Sequence, residues 1–412
     1  MHSTESATES ATDAPGTYCQ QARAADTEGP RASTEGEPSV SQSGAKHTTH
    51  DTPQRTSGLQ PIAAAFESLE EQGLKIHMQD LTYCTVGSGI EVLGRGSMGI
   101  VYKASLRTDA AESRRVVALK QLLHASDRNR DTLHEADQLE GLLRELSIGI
   151  LLPKTPNICA FIGAVSHPVH GPLLVYEHID GINMGDYFEL QNVKHKAKFR
   201  RGKTQWKPKV KTALAWGEQI FRALDALHVV QLIHRDVKPS NIMLFNRCND
   251  EYASLKIIDF GLARRNVSSM MNTGNTNNIT PQLMGQPDLD RLDKQVNMTV
   301  LTGTPRYMAP EIAQGDASYG AKVDVYSATM VLYFMFTGVL PFERVPPQAI
   351  PQLAAEGRRP DLQAIKSTSL RELCAFGWEA VRARTQAHSQ SYREGERERG
   401  RERGAGNRYV YK

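Results

Sequence analysis

The amino-acid sequence predicts an α+β fold with two lobes, a small lobe rich in strands over about residues 85–178 and a larger helical lobe over about 179–385. One observation is a glycine-rich turn between two apolar strands, within residues 91–104. Another is a polar loop, residues 234–241, that lies between two apolar runs. The third is a long apolar run within residues 326–342, which is typical of a buried helix.

Both ends of the 412-residue chain lack the apolar periodicity of a folded domain. Residues 1–75 are rich in Ser, Thr, Glu, Ala and Gly, and Phe66 is the only phenylalanine or tryptophan among them. Such a segment cannot offset its ordering entropy by burial, so we predict disorder there, with one candidate short helix from Ile62 to Glu71. Residues 386–412, rich in Arg, Glu and Gly, are predicted to form a disordered tail.

Composition and charge leave the partner open but disfavour some classes. The net charge of +3 is too small to indicate binding to nucleic acid, so none is expected. The five cysteines lack metal or redox spacing, which favours an intracellular, cytoplasmic setting, and no basic and apolar leader follows Met1. The central part of the long apolar run, residues 328–336, is shorter than the roughly 20 residues of a bilayer span, so we expect no membrane span. The oligomeric state stays open.

The small lobe opens with the glycine-rich turn Gly-Arg-Gly-Ser-Met-Gly, residues 94–99. Glycines let backbone amides approach phosphates closely. The same pattern occurs in dinucleotide-binding turns, but those turns open a helix, whereas residues 100–102 (Ile-Val-Tyr) have strand character. We therefore predict a hairpin over nucleotide phosphates. A following strand, residues 116–120, ends in the lone lysine Lys120.

Between this strand and the polar loop the sequence predicts helices and two more strands. Leucines recur at helical spacing over residues 131–150, and strands are predicted over 159–165 and 173–176. Residues 190–216 contain nine basic side chains and no acidic one, and we interpret this stretch as a surface insertion. A docking site for an acidic partner is the alternative. An amphipathic helix over residues 216–232 then leads into the polar loop.

The polar loop carries an acid, a base and an amide between apolar anchors. Asp236 can accept a proton from a hydroxyl, Lys238 can offset charge on a phosphoryl group, and Asn241 offers a hard oxygen to a divalent cation. A strand over residues 255–258 ends in Asp259, a second donor of hard oxygen. These are the parts of a phosphotransferase.

These segments together resemble the eukaryotic protein kinases. His-Arg-Asp-Val-Lys-Pro-Ser-Asn, residues 234–241, fills the pattern of the kinase catalytic loop without a gap, and Asp-Phe-Gly, residues 259–261, resembles the metal-binding triplet. Residues 302–311 resemble the end of an activation segment, after a long polar interval, residues 264–298, that we expect to be a mobile insertion. The resemblance covers about residues 91–381 and implies a two-lobed kinase fold that transfers the γ-phosphate of ATP to protein substrates.

The resemblance also implies the kind of kinase. Lys238 with Pro239, and Thr304 within Gly-Thr-Pro, follow the serine/threonine pattern. Pro-Asn-Ile at residues 156–158 and Arg-Pro-Asp at 359–361 are similar to the tyrosine-kinase-like group. We therefore expect a serine/threonine kinase that uses ATP and Mg²⁺.

The resemblance to the kinase family implies a role for each matched residue. Asp236 should orient the substrate hydroxyl and take its proton, and Thr304 should bridge Asp236 and Lys238. The expected catalytic residues are Asp236, Lys238, Lys120, Glu145 and Thr304, and the expected Mg²⁺ ligands are Asn241 and Asp259. The expected nucleotide contacts are Leu93, Gly94, Arg95, Gly96, Ser97, Met98, Gly99, Val101, Ala118, Lys120, Glu177, Ile179 and Asn183.

The glutamate that pairs with Lys120 has three candidates. Glu145 sits at about the family distance before residues 156–158, and Glu140 and Glu135 compete with it.

Three other positions carry consequences from the resemblance. Met98 stands where the family usually has an aromatic residue, and Tyr176 falls where a side chain limits the depth of the nucleotide pocket. If Glu145 is the partner of Lys120, Gly149 falls near a position that is normally apolar. The sequence leaves open whether Ile148 or Ile150 substitutes.

Two contacts are expected around the polar loop. Arg235 precedes the catalytic aspartate, and kinases with this arginine often use it to grip a phosphorylated activation segment, for which Thr299 and Thr302 are candidates. Asp324, at the start of the apolar helix, is expected to brace the loop.

The large lobe is expected to be incomplete at its C-terminal end. After Trp378 no final helix is recognisable, and Arg382 or Arg384 would have to pair with Glu311. The alternative function is therefore a catalytically impaired kinase-like scaffold. A nucleotide-binding oxidoreductase is a weaker alternative, since nothing after the glycine-rich turn resembles its βαβ unit.

Overall fold

The structure, a computed structural model, describes most of the chain between residues 59 and 378. The described segments are residues 59–96, 99–108, 113–122, 132–168, 171–198, 205–246, 253–266, 303–315 and 319–378, without the side chains of residues 59–63, 132–140 and 198. The predictions of disorder before residue 59, of a mobile insertion beyond residue 266 and of a disordered tail fall outside these segments. None of the helices inside them combines the length and the apolar character needed to cross a bilayer.

The small lobe is built on a seven-stranded sheet. Its spatial order is β1 (Lys75–Ile76), β8 (Phe161–His167), β9 (Gly171–Glu177), β7 (Arg114–Leu122), β6 (Gly99–Arg107) and β2 (Leu81–Tyr83), and β5 (Val92–Gly96) also pairs with β6. Strand β1 pairs with β8 in parallel, and the other pairs are antiparallel. Strands β3 (Thr85–Val86) and β4 (Gly89–Ile90) form a separate small hairpin.

One face of the seven-stranded sheet carries the core of the small lobe. The side chains of Val117 and Leu119 in β7 are fully buried there, against residues of β6, β8 and β9. Because side chains alternate along a strand, Ala118 and Lys120 face the opposite side. Helix α2 (Thr132–Leu151) lies on that side and contributes the partner of Lys120.

Helix α1 (Leu59–Glu71) packs against α2 and β8. Its side chains Phe66 and Leu69 are buried in the main core. The candidate short helix is thus present and begins earlier than expected, and the prediction of disorder is wrong for residues 59–75. The few apolar residues of this stretch are placed so that they meet the apolar face of α2, a tertiary contact that composition does not reveal.

The large lobe is mainly helical. Its helices are α3 (Met184–Lys198), α4 (Val210–Val229), α5 (Pro310–Ala313), α6 (Lys322–Thr337), α7 (Ile350–Ala355) and α8 (residues 368–378). Its strands form an antiparallel sheet of β10 (Gly181–Asn183), β12 (Ile242–Phe245) and β13 (Ser254–Ile257), and a pair of β11 (Leu232–Ile233) with β14 (Arg264–Arg265). The predicted two-lobed α+β fold is confirmed.

Helix α6 lies at the centre of the large-lobe core. Every residue from Val323 to Phe336 except Val325 is buried, and α4 packs along it. A helix that is apolar all round is stable only inside a protein, which is why this sequence forms a core helix. The predicted buried helix is therefore present, and it ends at Thr337.

The basic stretch is largely part of the packed lobe. Residues 190–198 belong to α3, and Trp206 beyond it packs edge-on against Tyr187 and Phe188 with ring centroids 5.7 and 5.1 Å away. Lys207 Nζ donates to Phe336 O at 2.7 Å. Trp206, which lies between the lysines, thus holds the chain against the core, and the interpretation of the stretch as a surface insertion stays a prediction.

Candidate active site

One buried carboxylate fastens the polar loop to helix α6. Asp324 Oδ2 accepts hydrogen bonds from His228 Nε2 at 2.8 Å and from His234 N at 2.9 Å, and its Oδ1 accepts one from Arg235 N at 2.8 Å. Arg235 has a φ of 67°, an uncommon conformation for a residue other than glycine, and the bond to Asp324 helps to hold it. The contact predicted for Asp324 is confirmed.

Asp236 lies at the centre of a group that we call the loop cluster, which consists of Asp236, Lys238, Asn241 and Thr304. Asp236 Oδ1 accepts from both N and Oγ1 of Thr304 at 3.1 Å. Asp236 Oδ2 lies 2.6 Å from Lys238 Nζ and accepts from Asn241 Nδ2 at 3.1 Å. Lys238 Nζ also donates to Thr304 Oγ1 at 2.9 Å. The predicted bridge from Thr304 to Asp236 and Lys238 is present.

Three distant elements meet in a second group, the lysine cluster, which consists of Lys120 of β7, Glu145 of α2 and Asp259 after β13. Lys120 Nζ lies 2.5 Å from Glu145 Oε1 and 3.0 Å from Asp259 Oδ1. Glu145 is therefore the glutamate that the structure brings to Lys120. The side chains of its competitors Glu135 and Glu140 lie outside the described part of the chain.

Burial and neighbouring charges have opposite effects on the pKa values of the lysine cluster. Burial alone would lower the pKa of Lys120, but the carboxylates of Glu145 and Asp259 outweigh it and raise the pKa to about 12. Burial alone would raise the pKa of Asp259, yet the Lys120 ammonium holds that pKa below its usual value. Burial raises the pKa of Glu145 against the attraction of Lys120. At neutral pH Lys120 thus carries a fixed positive charge beside the ionised Asp259.

Tyr176 supplies Glu145 with a second donor that the sequence analysis missed. Its hydroxyl donates to Glu145 Oε1 at 3.3 Å. Burial raises the pKa of Tyr176 well above its usual value, so the hydroxyl keeps its proton and stays a donor. The only sequence signal was the position of Tyr176 near the end of a strand, and the sheet register that sets it opposite Ala118 becomes visible only in the structure.

The glycine-rich turn forms the predicted hairpin between β5 and β6. Gly96 pairs with Gly99, and Ser97 and Met98 between them lie outside the described residues. Gly99 also has a packing reason, because a Cβ atom there would lie 2.3 Å from Gln121 O of the neighbouring strand β7. The glycine therefore lets β6 approach β7 closely.

The other predicted nucleotide contacts of the small lobe lie in adjoining strands. Val101 lies opposite Lys120 in the register of β6 with β7, and Ala118 lies opposite Tyr176 in the register of β7 with β9. The exposed residues of β5 are Leu93, Gly94, Arg95 and Gly96, together with Val92. Val101 and Ala118 therefore lie on strands that adjoin Lys120, and their contacts with a nucleotide stay predictions.

The segment between the lobes, residues 177–181, borders a cavity of about 640 Å³ together with residues 245–246 and Lys256. The residues that line this cavity include none from the loop cluster or the lysine cluster, so neither cluster forms part of its wall. Glu177 Oε1 accepts from Ala160 N at 2.7 Å and from Lys256 Nζ at 2.6 Å. The carboxylate of Glu177 is thus engaged within the protein, and so is its N–H, which donates to Ala160 O at 3.0 Å. The contacts of Glu177 and Ile179 with a nucleotide stay predictions.

Asn183 acts as a cap for the first turn of α3. Its Oδ1 accepts from Asp186 N at 2.9 Å, and its Nδ2 donates to Asp186 Oδ2 at 2.6 Å. The predicted contact of Asn183 with a nucleotide stays a prediction, and a nucleotide would have to share this amide with Asp186.

Two donors of hard oxygen fit a divalent cation. Asn241 directs its amide nitrogen to Asp236 O at 2.9 Å and to Asp236 Oδ2 at 3.1 Å, which leaves its amide oxygen for a metal. Asp259 supplies a carboxylate kept ionised by Lys120. Within the described segments no group of three or more His, Cys, Asp or Glu side chains could hold a metal. Asn241 and Asp259 are thus two donors of hard oxygen of the kind that divalent cations bind, and their role as Mg²⁺ ligands stays a prediction.

Two predicted contacts involve residues outside the described segments. Arg235 donates from Nε to Leu262 O and from Nη1 to the hydroxyl of Tyr319 at 2.9 Å. Its predicted partners Thr299 and Thr302 are not in those segments. The same holds for Arg382 and Arg384, the predicted partners of Glu311. Both contacts, and the predicted incompleteness of the large lobe, stay predictions.

The family model for the protein kinase domain matches residues 88–372. The chain belongs to the protein kinase family, which confirms the resemblance seen in its motifs. It is 31% identical over 301 residues to serine/threonine-protein kinase VIK of Arabidopsis thaliana, an alignment that covers 71% of this chain and 56% of that protein.

Two further relatives share less of their length. The chain is 28% identical over 271 residues to a Dictyostelium discoideum protein named probable serine/threonine-protein kinase gdt4, with 66% of this chain and 13% of that protein covered. It is 31% identical over 252 residues to serine/threonine-protein kinase ATG1c of Arabidopsis thaliana, with 61% and 26% covered. The chain thus spans about half the length of the first relative and less of the other two.

Proposed function

We propose that the protein is an active serine/threonine kinase, which transfers the γ-phosphate of ATP to serine or threonine hydroxyls of protein substrates. The proposal rests on the presence of both clusters. In the loop cluster the carboxylate of Asp236 is held by Lys238, and in the lysine cluster the positive charge of Lys120 is held by Glu145. Phosphoryl transfer needs both, because catalysis consists of orienting the attacking hydroxyl and neutralising the phosphates.

The loop cluster is proposed to handle the substrate hydroxyl. Asp236 orients the hydroxyl and receives its proton, while Lys238 neutralises charge on the transferred phosphoryl group. The hydrogen bonds from Thr304 to Asp236 Oδ1 and from Lys238 to Thr304 support this role, since they fix the carboxylate in one orientation.

The lysine cluster is proposed to hold the nucleotide phosphates through Lys120, whose charge is secured by Glu145. Asn241 and Asp259 are the proposed Mg²⁺ ligands, and a bound Mg²⁺ would supply further positive charge for the phosphates. The amides of the β5–β6 hairpin would add hydrogen-bond donors, and the backbone of Glu177 and Ile179 would meet the adenine.

The finer class and the location are also proposals. The sequences at residues 156–158 and 359–361 favour the tyrosine-kinase-like group among serine/threonine kinases. Free thiols at Cys84, Cys159 and Cys374 support a reducing, cytoplasmic setting.

The proposal is tested by incubating the purified full chain with Mg²⁺, γ-labelled ATP and a mixture of peptides that carry serine, threonine or tyrosine. Asp236→Ala serves as the control, and the labelled amino acid is identified after hydrolysis. We expect label on serine and threonine with the wild-type chain and none with the variant. Label on tyrosine alone would overturn the proposed hydroxyl class. A wild-type chain that binds ATP and transfers nothing would favour the impaired scaffold, which the present clusters do not support.

A further inference from the structure

Residues 304–307 form a turn beside Asp236. Thr304 donates to Asp236 Oδ1 from its N–H and from its hydroxyl, both at 3.1 Å, and Tyr307 N donates back to Thr304 O at 2.9 Å. Arg306 is the third residue of this turn. An extended peptide advances about 3.3 Å per residue, so a substrate whose hydroxyl lies at Asp236 brings residues up to about three positions away within reach of Arg306.

The backbone after helix α6 holds the guanidinium of Arg306 in place. Arg306 Nη1 donates to Pro341 O at 2.9 Å and to Phe342 O at 2.7 Å. Phe342 has a φ of 54°, which is uncommon for a bulky residue, and the bond to its carbonyl oxygen helps to stabilise this conformation. An arginine that is already fixed loses little side-chain entropy when it binds a ligand.

The positive charge of Arg306 has no counter-ion among the residues that the structure describes. None of the ion pairs that those residues form includes Arg306. Glu343, which follows Phe342, accepts instead from Gln205 Nε2 at 3.0 Å. In the same described part of the chain Arg306 uses only Nη1, so its Nε and Nη2 keep N–H donors for a ligand. Such donors suit a carboxylate, which accepts charge-assisted hydrogen bonds from a guanidinium.

The positions around Arg306 favour a ligand of negative charge. Lys207 Nζ donates to Phe336 O at 2.7 Å, so the segment 336–342 holds a cation near each end. Ser240, the exposed residue of the 3₁₀ turn in the loop cluster, is uncharged. A surface with this balance of charge attracts carboxylates and repels lysine and arginine side chains.

We propose that Arg306 is a specificity-determining residue that binds a carboxylate of the protein substrate close to the phosphate-accepting hydroxyl, so that the kinase selects serine and threonine within acidic sequences. Lys207 adds a weaker preference for acidic residues farther from the hydroxyl. This inference deepens the proposed function by naming a substrate class, and it rests on that function because it takes the hydroxyl to lie at Asp236.

The test uses peptides that contain one serine and otherwise uncharged residues, with a single Asp or a single Lys placed at successive positions on either side of the serine. The readout is the ratio of kcat/KM for the Asp peptide to that for the matching Lys peptide, which does not depend on the fraction of folded enzyme. We expect the wild type to favour Asp about tenfold at one or two positions near the serine, the size typical of a charge-assisted hydrogen bond. Equal use of both peptides, or a preference for Lys, would overturn the inference.

Variants assign the preference to Arg306. Arg306→Gln removes the charge, and its amide can still donate to the backbone oxygens, so the preference for Asp should disappear. Arg306→Lys keeps the charge and should retain part of the preference. Arg115→Gln removes the same charge from the exposed end of β7 and should keep the wild-type ratio. Lys207→Gln should lower the ratio less than Arg306→Gln does. A wild-type ratio in Arg306→Gln would overturn the role of Arg306.

A binding assay that needs no phosphate transfer keeps the inference and the proposed function distinguishable. Fluorescent versions of the peptides, with alanine in place of the serine, are titrated with the full chain and followed by anisotropy. We expect the wild type to bind the Asp peptide more tightly than the Lys peptide, and Arg306→Gln to lose this difference. If that result is obtained and the wild type transfers no phosphate, the proposed function alone is overturned. Transfer by the wild type with no preference for Asp in either assay would overturn the inference alone.

Discussion

The loop cluster and the lysine cluster differ in how the chain assembles them. Three of the four loop-cluster residues lie within residues 236–241, and a 3₁₀ turn from Pro239 to Asn241 sets their spacing. The lysine cluster joins residues 25 and 139 positions apart along the chain. The first is shaped by a short local sequence, whereas the second exists only while α2 is docked on the sheet.

This difference indicates which cluster changes more easily when other parts of the protein move. A loop fixed by its own turn and by one buried carboxylate keeps its geometry when distant elements shift. A lysine whose partner sits on a separate helix loses that partner when the helix moves. The lysine cluster should therefore be the more sensitive of the two to substitutions away from the site.

The largest effect in the lysine cluster is expected from Asp259→Asn. A neutral amide is a poorer ligand for a hard cation and adds no bulk, so transfer should fall by at least about 10²-fold while the fold is kept. The rate is measured against Mg²⁺ concentration, with circular dichroism as the check on folding. Asp225→Asn on the exposed face of α4 is the control and should change neither. Wild-type transfer by Asp259→Asn would remove this residue from the metal site.

Lys120→Met should lower both activity and stability, and a second substitution in the same cluster should restore only stability. It should lower kcat by about 10²–10³-fold and, because it leaves the buried Glu145 without its cation, cost about 3–5 kcal/mol of unfolding free energy. Adding Glu145→Gln should restore much of the stability and none of the activity. Urea unfolding and transfer assays on the same samples measure both. A single variant as stable as the wild type would show that the pair carries little energy.

The loop cluster is probed by Thr304→Ala beside Thr304→Ser. Alanine removes the hydroxyl that links Lys238 and Asp236, and bonds of this kind to charged groups correspond to a fall in kcat of about tenfold to a hundredfold. Serine keeps the hydroxyl and should stay close to the wild type. If both variants lose activity equally, the methyl group and its packing, and not the bridge, are what matter.

The smallest effect is expected from Tyr176→Phe. The change deletes one hydrogen bond to Glu145 and keeps the ring that packs on Phe161, so stability should fall by only about 1 kcal/mol. Thermal melting and ATP titration measure it. A loss as large as that of Lys120→Met would mean that Tyr176, rather than Lys120, is the main support of Glu145.

The sequence predicted the loop cluster residue by residue because its motif is contiguous and its chemistry is explicit. For the partner of Lys120 it left three candidate glutamates. The position of helix α2 relative to the sheet was needed to choose Glu145. The bond from Tyr176 to Glu145 joins residues of different elements, so no local pattern could reveal it.

The misses in the fold have the same cause. Residues 59–75 were included in a predicted disordered segment, with only a candidate helix from Ile62 to Glu71. Among the described side chains of α1, the buried residues Phe66 and Leu69 are sparse in a polar context. The packing of Trp206 against the core was not predicted, because the lysines around it outnumber this one aromatic residue. In both places a few apolar residues find a matching surface on another element, and such matching is a property of the tertiary structure.

The most direct test of the account is single-turnover transfer from γ-labelled ATP by Asp236→Asn, with ATP binding measured in the same samples. The amide has the size of the carboxylate but cannot take the proton of the hydroxyl, while the lysine cluster is left intact. We predict ATP affinity within about twofold of the wild type and a transfer rate lower by about 10²–10⁴-fold. A wild-type rate of transfer by Asp236→Asn would contradict the central claim that the loop cluster receives the proton of the substrate hydroxyl.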